Sequence, residues 1–518
     1  MEYKKLLVIL LMIMTFSGIP VKAWAEPTVS FPSADVARVD SGQADAVWNV
    51  SEVSANLVFA YYYKDSGRIE LEAQEGNGLM SSVSENLLAR FAENGMEKPD
   101  ETDIRSVKIG KNIVTSDLSR LFSGFANMTS VTFEDADTFT RYARSMREMF
   151  SGCGSLTELD VSRFNTENTE YMYSMFEGCS KLKKLDLKSF NTSKVTDMAW
   201  MFDGCESLET LDVSRFDTSN VCDMQCMFDN CRMLKKLDVS RFKTSKTVSM
   251  KSMFANCSSL TGLDVSGFDT ASVMDMSGMF SDCAKITGLD LRKFDTTNVY
   301  DMKNMFNGCS TLEVLDTGSF KTPRLGLETD YIVDSGVQGM FAECKELTDL
   351  DLSGFDTARV ENMDWMFYEC DSLKELDLSS FETGNLVAME SMFSGCEELE
   401  ELNLESFDTS LIKNMNNVFS NCLALEKLDL SGFDLSGVEK PFSLWTCKSL
   451  KMIKAPKKAG KDLIIELPGK FYDRSGKIYV NLGKEVPAKT QLTAEKPETI
   501  ISPNIVRNSG KVLFGLLV

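Results

Sequence analysis

The sequence contains no histidine among its 518 residues. Ser-His-Asp and Cys-His catalysis, histidine general bases and histidine-ligated zinc are therefore excluded. Basic residues are also scarce, with 55 Lys and Arg against 77 Asp and Glu and a formal charge of -22. Because nucleic-acid binding needs a basic surface, we expect no nucleic-acid partner. Hydrophobic residues make up 43% of the chain, which is enough to form a packed core.

No apolar run approaches the roughly 20 residues needed to span a bilayer. The run 6–16 follows Lys4 and Lys5 and precedes a small-x-small site at 23–25. This pattern predicts a cleaved signal peptide over residues 1–25. A retained membrane anchor is the alternative, and the shortness of the run disfavours it. We therefore expect a secreted or cell-surface protein with no transmembrane segment in its mature chain.

Most cysteines recur at a fixed spacing. They lie 26 residues apart, except for one step of 35 and a final step of 25, at Cys153, Cys179, Cys205, Cys231, Cys257, Cys283, Cys309, Cys344, Cys370, Cys396, Cys422 and Cys447. Self-similarity of this length is typical of solenoids, in which stacked copies bury a core that no single copy could bury. We call each copy a coil.

One coil shows the pattern within the repeat. Leu185-Asp186-Leu187 alternates apolar and polar residues, which predicts a short strand with one buried face. Met198, Met201 and Phe202 follow i, i+3, i+4 spacing, which predicts a short helix behind an N-cap at Asp197. The expected fold is thus an α/β repeat solenoid of about 26-residue strand and short-helix turns with a parallel sheet.

The same pattern carries a family resemblance. The residues Met366-Phe367, Leu373, Leu376-Asp377-Leu378, Phe381 and Thr383 follow a repeat that resembles the BspA-like leucine-rich-repeat surface proteins of bacteria. The resemblance covers about residues 104–455, with eleven clear copies. It implies a leucine-rich-repeat solenoid displayed outside the cell, often linked to adhesion to host matrix proteins or to other microbes. It implies no single ligand.

The flanking regions are expected to close the array. Residues 26–103 form a predicted N-terminal β-rich, α+β cap region, with a hairpin over 57–72 and a helix over 84–93. Residues 104–455 form the predicted solenoid, with degenerate copies at its ends, as stable arrays require. Residues 456–518 form a predicted C-terminal β-containing segment.

The repeat cysteines allow two interpretations. In an exported protein they suggest disulfides, and neighbouring coils would bring the sulfur atoms within bonding reach. They also behave like small buried hydrophobes, since Phe125 stands at the cysteine place of an early copy. Cys222 and Cys226 lie off this ladder. They suggest either a two-thiolate metal half-site or packed thiols.

An aspartate recurs between the two strand leucines of almost every coil. This Asp column comprises Asp160, Asp186, Asp212, Asp238, Asp264, Asp290, Asp316, Asp351, Asp377 and Asp429, with Asn403 in the remaining copy. Stacked like charges repel each other, so they need an offset. One interpretation is hydrogen bonding to the Ser two residues on or to turn amides. The other is an acidic strip that binds Ca²⁺ or a basic partner.

One coil carries an insertion of nine residues between 322 and 340. Insertions in repeats map to loops on one face, so Arg324 and Tyr331 are candidate partner contacts. A tolerated bulge without function is the alternative.

Two functional hypotheses follow. The first is a binding module that mediates protein-protein interaction or adhesion to a protein or glycan on host or microbial surfaces. The second is a structural stalk or coat protein of the cell envelope, in which the faces bind copies of the same chain. We expect no enzyme activity, because the carboxylates follow the repeat and no acidic pair stands apart from it. We predict no cofactor beyond Ca²⁺ on the Asp column.

Overall fold

The computed structural model describes residues 44–51, 57–74, 76–80, 86–89, 97–328 and 335–496. The predicted signal peptide lies outside these residues, as does most of the predicted helix over 84–93. Within the described part, no helix combines the length and apolar character needed to cross a bilayer.

The N-terminal part builds a mixed sheet. Its elements are β1 (Ala46–Asn49), β2 (Val58–Tyr63), β3 (Arg68–Ala73), β4 (Gly78–Leu79), a 3-10 helix (Glu101–Asp103), β5 (Ser106–Ile109), β6 (Ile113–Val114), β7 (Ser130–Phe133) and α1 (Ala136–Thr140). The strand order is β1-β2-β3-β5-β7. Strands β1 to β3 pair antiparallel, which confirms the predicted hairpin, and β3, β5 and β7 pair parallel. The N-terminal hairpin therefore covers the first edge of the solenoid.

Strands inside the solenoid are short. They are β8 (Gly288–Leu289), β9 (Val314–Leu315), β10 (Asp349–Leu350), β11 (Glu375–Leu376), β12 (Glu401–Leu402), β13 (Lys427–Asp429), β14 (Asp434–Leu435), β15 (Met452–Lys454) and β16 (Lys458–Ala459). Equivalent positions of successive coils pair in parallel, as in Leu376 with Leu402 and Leu402 with Leu428. The predicted parallel sheet is confirmed for these coils.

The predicted short helix is wrong. Residues 197–204, and their equivalents in other coils, form a succession of tight turns that we call the turn segment. The amides of Trp200 and Phe202 donate to carbonyls of the next coil at 2.9 and 3.0 Å, whereas Met201 N closes a turn onto Met198 O at 3.2 Å. Trp200 has a left-handed backbone with φ of 54°. A helix would send these amides to carbonyls of its own segment, but here the neighbouring coil satisfies them.

The core is a set of ladders along the solenoid axis. The turn-segment phenylalanines stack on those of adjacent coils with ring centroids 5.6 to 5.9 Å apart, at Phe150, Phe176, Phe202, Phe228, Phe254, Phe280, Phe306, Phe341, Phe367, Phe393 and Phe419. The methionines and cysteines beside them are fully buried. Each coil therefore buries its apolar side chains mainly against its two neighbours.

A threonine ladder joins the coils on another face. Thr192 Oγ1 donates to Asp217 O at 3.1 Å and accepts from Asp217 N at 2.8 Å. The same pair of bonds recurs from Thr218 to Lys243 in the next coil. These hydroxyls are buried and link neighbouring coils.

The C-terminal part closes the other end with antiparallel strands. Its strands are β17 (Ile464–Tyr472), β18 (Ile478–Gly483) and β19 (Gln491–Thr493). Strands β17 and β18 form a hairpin, and β19 pairs antiparallel with β15. These strands lie within the predicted C-terminal β-containing segment.

Candidate binding surfaces

Each aspartate of the Asp column folds its carboxylate back onto its own coil. Asp238 Oδ1 accepts from Ser240 N at 3.1 Å and from Ser240 Oγ at 2.6 Å. The bond from the amide two residues on recurs in all ten coils that carry the aspartate. Asn403 makes the same bond to Glu405 N at 3.1 Å. The predicted hydrogen-bonding offset is therefore confirmed.

In several coils these bonds also favour the ionised carboxylate. Hydrogen bonds from the side chain and amide of Ser240 lower the pKa of Asp238, and the equivalent serines lower the pKa of Asp160 and Asp212. The Arg292 guanidinium and amide lower the pKa of Asp290 to about 2. All of the column except the half-buried Asp429 is exposed. The result is an ordered line of negative charge along the solenoid.

No ready-made cation site accompanies that line. Across the described residues, no three or more Cys, Asp or Glu side chains converge as metal ligands. Each carboxylate directs an oxygen at its own turn amide, so the column presents single charges side by side. Cys222 and Cys226 are half-buried, and they likewise belong to no such cluster.

The insertion is anchored at its start. Arg324 Nη1 donates to Tyr300 Oη at 3.0 Å, and the guanidinium lies 5.7 Å from the centre of the tyrosine ring. Arg359 Nη1 donates to Pro323 O at 3.0 Å. Arg324 remains exposed, whereas the other candidate contact, Tyr331, lies outside the described residues.

The repeat cysteines are free buried thiols. All twelve are fully buried, and none forms a disulfide. Cys205 Sγ donates to Phe176 O of the preceding coil at 3.2 Å, and every other ladder cysteine makes the equivalent bond. Burial raises the pKa of Cys179 to about 12. The interpretation as small buried hydrophobes is confirmed.

A second acidic line runs at the start of the turn segments. Asp197 and Asp223 pair in parallel across neighbouring coils, followed by Ser249, Asp275 and Asp301. Burial raises the pKa of Asp197 and of Asp223, and for Asp197 the charge of Asp223 adds to this effect. The sequence suggests a helix cap at Asp197, but the structure places Asp197 and Asp223 at the start of tight-turn segments, where burial disfavours their charged form.

A groove crosses the outer side of five turn segments. It encloses about 570 Å³ and is lined at equivalent places of consecutive coils by Asn304 and Asn307, Gly339 and Ala342, Trp365 and Tyr368, Ser391 and Ser394, and Asn417 and Ser420, with Glu343 and Glu390 at its sides. Trp365 on the middle coil is 43% exposed. Sequence reasoning missed this groove. Its signal was a tryptophan flanked by small residues at the same place of adjacent copies.

The other turn-segment tryptophan is placed differently. Trp200 packs against Tyr173 with ring centroids 5.1 Å apart in an edge-to-face arrangement. It is only partly exposed. Trp200 therefore has an aromatic partner within the fold, whereas Trp365 presents much of its indole to solvent.

Known proteins place the repeat in a family. The profile described as "Mycoplasma protein of unknown function, DUF285" matches residues 116–237, 144–262, 202–318 and 335–451, which together cover more than half of the chain. The chain belongs to the DUF285 family. The matched residues of this DUF285 protein are the solenoid coils that carry the Asp column and the groove.

Two further comparisons add little detail. No curated protein matches the DUF285 chain. Among solved structures, a leucine-rich repeat protein from Eubacterium ventriosum ATCC 27560 is 14% identical, with a TM-score of 0.29 over 69% of this chain and 97% of that protein.

Proposed function

We propose that this DUF285 protein is an exported, BspA-like surface protein that binds macromolecular partners through the outer faces of its solenoid. The proposal is supported by the predicted signal peptide, by membership of a repeat family and by the resemblance of the coils to adhesive surface proteins. The Asp column is the observation that carries it, because the column places ten hydrogen-bonded aspartates at equivalent positions of the coils.

The geometry of the Asp column suits a basic partner surface. Successive coils of a parallel sheet are about 4.8 Å apart, so the column presents carboxylates at short, regular intervals. The hydrogen bonds within each coil already hold these groups in place, so binding costs little further ordering. Complementary charge speeds encounter and fixes the register of a partner. Arg324, exposed at the start of the insertion, is a second candidate contact.

An isosteric substitution that removes the charge tests the column without disturbing the fold. In the variant Asp212→Asn, Asp238→Asn, Asp264→Asn each amide oxygen keeps the turn bond, as Asn403 does in the natural chain. The matched control Asp217→Asn, Asp269→Asn, Asp295→Asn removes the same charge from another line, where Asn191 already makes the equivalent bond. Mature protein 26–518 is titrated against immobilised matrix glycoproteins and bacterial surfaces across a salt series.

We expect saturable binding that weakens with salt and falls at least tenfold in the column variant only. An equal loss in both variants would show that overall charge, not the column, attracts the partner. Absence of binding at micromolar concentrations, with concentration-dependent self-association by sedimentation, would favour the structural stalk or coat instead. A calcium series in the same assay tests whether the ion participates.

A further inference from the structure

The groove across the turn segments has the features of a ligand site. Its concave volume of about 570 Å³ falls within the range of small-molecule sites. Its lining is rich in amides, hydroxyls and carboxylates, with one exposed indole on the middle coil. Ordinary packing does not require this combination, because the apolar side chains of the same coils already point inward and are fully buried.

Small residues make the space beside the indole. Gly339 and Ser391 stand at the place of Trp365 in the coils before and after it. A Cβ at position 339 would collide with Asn304 Oδ1, and the backbone there is left-handed with φ of 59°. Ala342 and Ser394, at the place of Tyr368 in the same two coils, are also small and leave the groove open. A larger side chain at any of these places would occupy the groove.

Trp365 shares a left-handed backbone with the equivalent residues of other coils. Its φ is 57°, a conformation that bulky residues rarely adopt. The equivalent place in neighbouring coils holds Gly339, Ser391 and Asn417, which suit it better. Trp200 has the same backbone with φ of 54°, so the repeat sets this conformation. The feature that distinguishes Trp365 is its exposure, because 43% of its surface faces solvent whereas Trp200 packs against Tyr173.

The polar lining is partly ordered in advance. Glu390 accepts from Asn414 Nδ2 at 2.6 Å and from Asn416 Nδ2 at 3.4 Å, so two amides of the next coil fix its carboxylate. Asn304 and Asn417 lie exposed at the two ends of the groove. Each amide offers both donors and an acceptor, and each serine hydroxyl can do either. The groove therefore matches a ligand whose own groups both donate and accept.

The shape and charge narrow the ligand class. Five coils spaced at about 4.8 Å span roughly 20 Å, which fits a chain of several sugar units. A pyranose ring has an apolar C–H face, which stacks on an indole, and hydroxyl edges, which pair with amides and carboxylates. Glu343 and Glu390 repel an acidic sugar.

We propose that this groove binds a neutral oligosaccharide, with one pyranose ring stacked on Trp365 and its hydroxyls bonded to the amides, serines and glutamates of the adjacent coils. The inference rests on the proposed function, since it assigns a glycan to one face of the exported solenoid. It is independent of the Asp column, because a neutral ligand gains nothing from a line of negative charge.

The test uses purified 26–518 and defined probes. Calorimetric titrations employ cellotetraose, mannotetraose and the tetramer of N-acetylglucosamine, with a sialylated tetrasaccharide as the acidic comparison. Trp365→Ser removes the indole, and Ser391 shows that serine accepts the left-handed backbone at this place with φ of 53°. Ser391→Trp fills the groove with a residue that Trp365 shows to be tolerated there. Trp445→Ser removes a 58% exposed tryptophan outside the groove as the control.

We expect at least one neutral tetrasaccharide to bind with an affinity that salt does not change, since a neutral ligand is not screened. Trp365→Ser and Ser391→Trp should each weaken binding at least tenfold, and Trp445→Ser by less than twofold. No neutral saccharide binding up to millimolar concentrations, tighter binding of the sialylated probe, or binding that survives Trp365→Ser would overturn the proposal.

The two proposals fail separately. If matrix glycoproteins bind in a salt-dependent way through the Asp column and no saccharide binds, the groove inference fails and the proposed function stands. If deglycosylated partners still bind but lose affinity in Trp365→Ser, the groove is a protein contact, which also overturns the glycan assignment. If a saccharide binds while every protein partner fails, the groove inference stands without the Asp column.

Discussion

The hydroxyl of Thr192 hydrogen-bonds both backbone groups of Asp217 in the next coil, donating to its carbonyl at 3.1 Å and accepting from its amide at 2.8 Å. The threonine is 1% exposed, so water cannot replace either bond. The hydroxyl therefore works as an inter-coil clamp, and the threonine ladder repeats it along the solenoid.

Replacing this clamp should destabilise the array. Thr192→Val keeps the shape of the side chain and removes the hydroxyl that bonds the amide and the carbonyl of Asp217. We expect the free energy of unfolding to fall by about 1 to 3 kcal/mol, measured by urea denaturation. Thr192→Ser keeps the hydroxyl and serves as the control, with a smaller loss. A loss in Thr192→Ser with none in Thr192→Val would show that the methyl group, not the clamp, matters.

The ladder cysteines should not react with a thiol reagent in the native protein. The twelve ladder cysteines are fully buried, while Cys222 and Cys226 are half-buried. We expect a thiol reagent to label at most these two in native protein and all 14 after denaturation, without reductant. Intact mass spectrometry counts the labels. Fewer than 14 labels in denaturant would reveal disulfides and contradict the packing described above.

Stability should fall as pH rises through the range in which the buried carboxyl groups ionise. Burial, with the neighbouring charge of Asp275, raises the pKa of Asp301 to about 6 despite bonds from Lys303 and Gly336. Because the folded chain favours the protonated form, this contribution is complete below about pH 4 and is lost as pH rises through about 6. Burial and the charge of Asp223 raise the pKa of Asp197 to about 8, so the loss of stability continues to higher pH.

A single substitution isolates this effect. Asp301→Asn should leave stability nearly unchanged at pH 4 and raise it by up to about 3 kcal/mol at pH 7.5, measured by thermal unfolding at both values. The control is Asp290→Asn, at a group whose pKa is about 2. Its effect should be the same at both pH values. A pH-independent effect of Asp301→Asn would refute the assignment.

Truncation of a stacked ring should destabilise the solenoid. Phe254 lies between Phe228 and Phe280 with centroids 5.8 Å away on both sides. Phe254→Ala should cost about 3 to 5 kcal/mol, since it opens a cavity that both neighbouring coils border. Met233→Ala, at a 44% exposed side chain of a nearby coil, should change stability by less than about 0.5 kcal/mol. Chemical denaturation compares the two.

Much of the solenoid could be predicted from sequence because its rules are local and repeated. The buried leucines, the cysteine ladder, the hairpin over 57–72 and the bonds of the Asp column all follow from residue types at fixed offsets. Ser240 lies two residues after Asp238, and this spacing alone predicts the bond between them. The resemblance to a repeat family pointed to the same coils that the DUF285 profile matches.

The turn segment and the groove could not be predicted in the same way. Met198, Met201 and Phe202 have helical spacing, but consecutive tight turns present the same three side chains inward. The choice depends on whether amides bond within the segment or to the next coil, and that partner is 25 residues away in sequence. The groove likewise joins residues of five coils, so no single copy contains it.

The Phe ladder has a consequence for how such proteins change over generations. Each ring stacks on the equivalent rings of the neighbouring coils at nearly the same distance. A gene that gains or loses one whole copy therefore forms the same ring contacts at the new boundary between coils. The number of coils in the solenoid can then change while the fold of each coil is kept. The insertion before Gly336 shows that even one uneven copy leaves the adjacent rings, Phe306 and Phe341, stacked 5.7 Å apart.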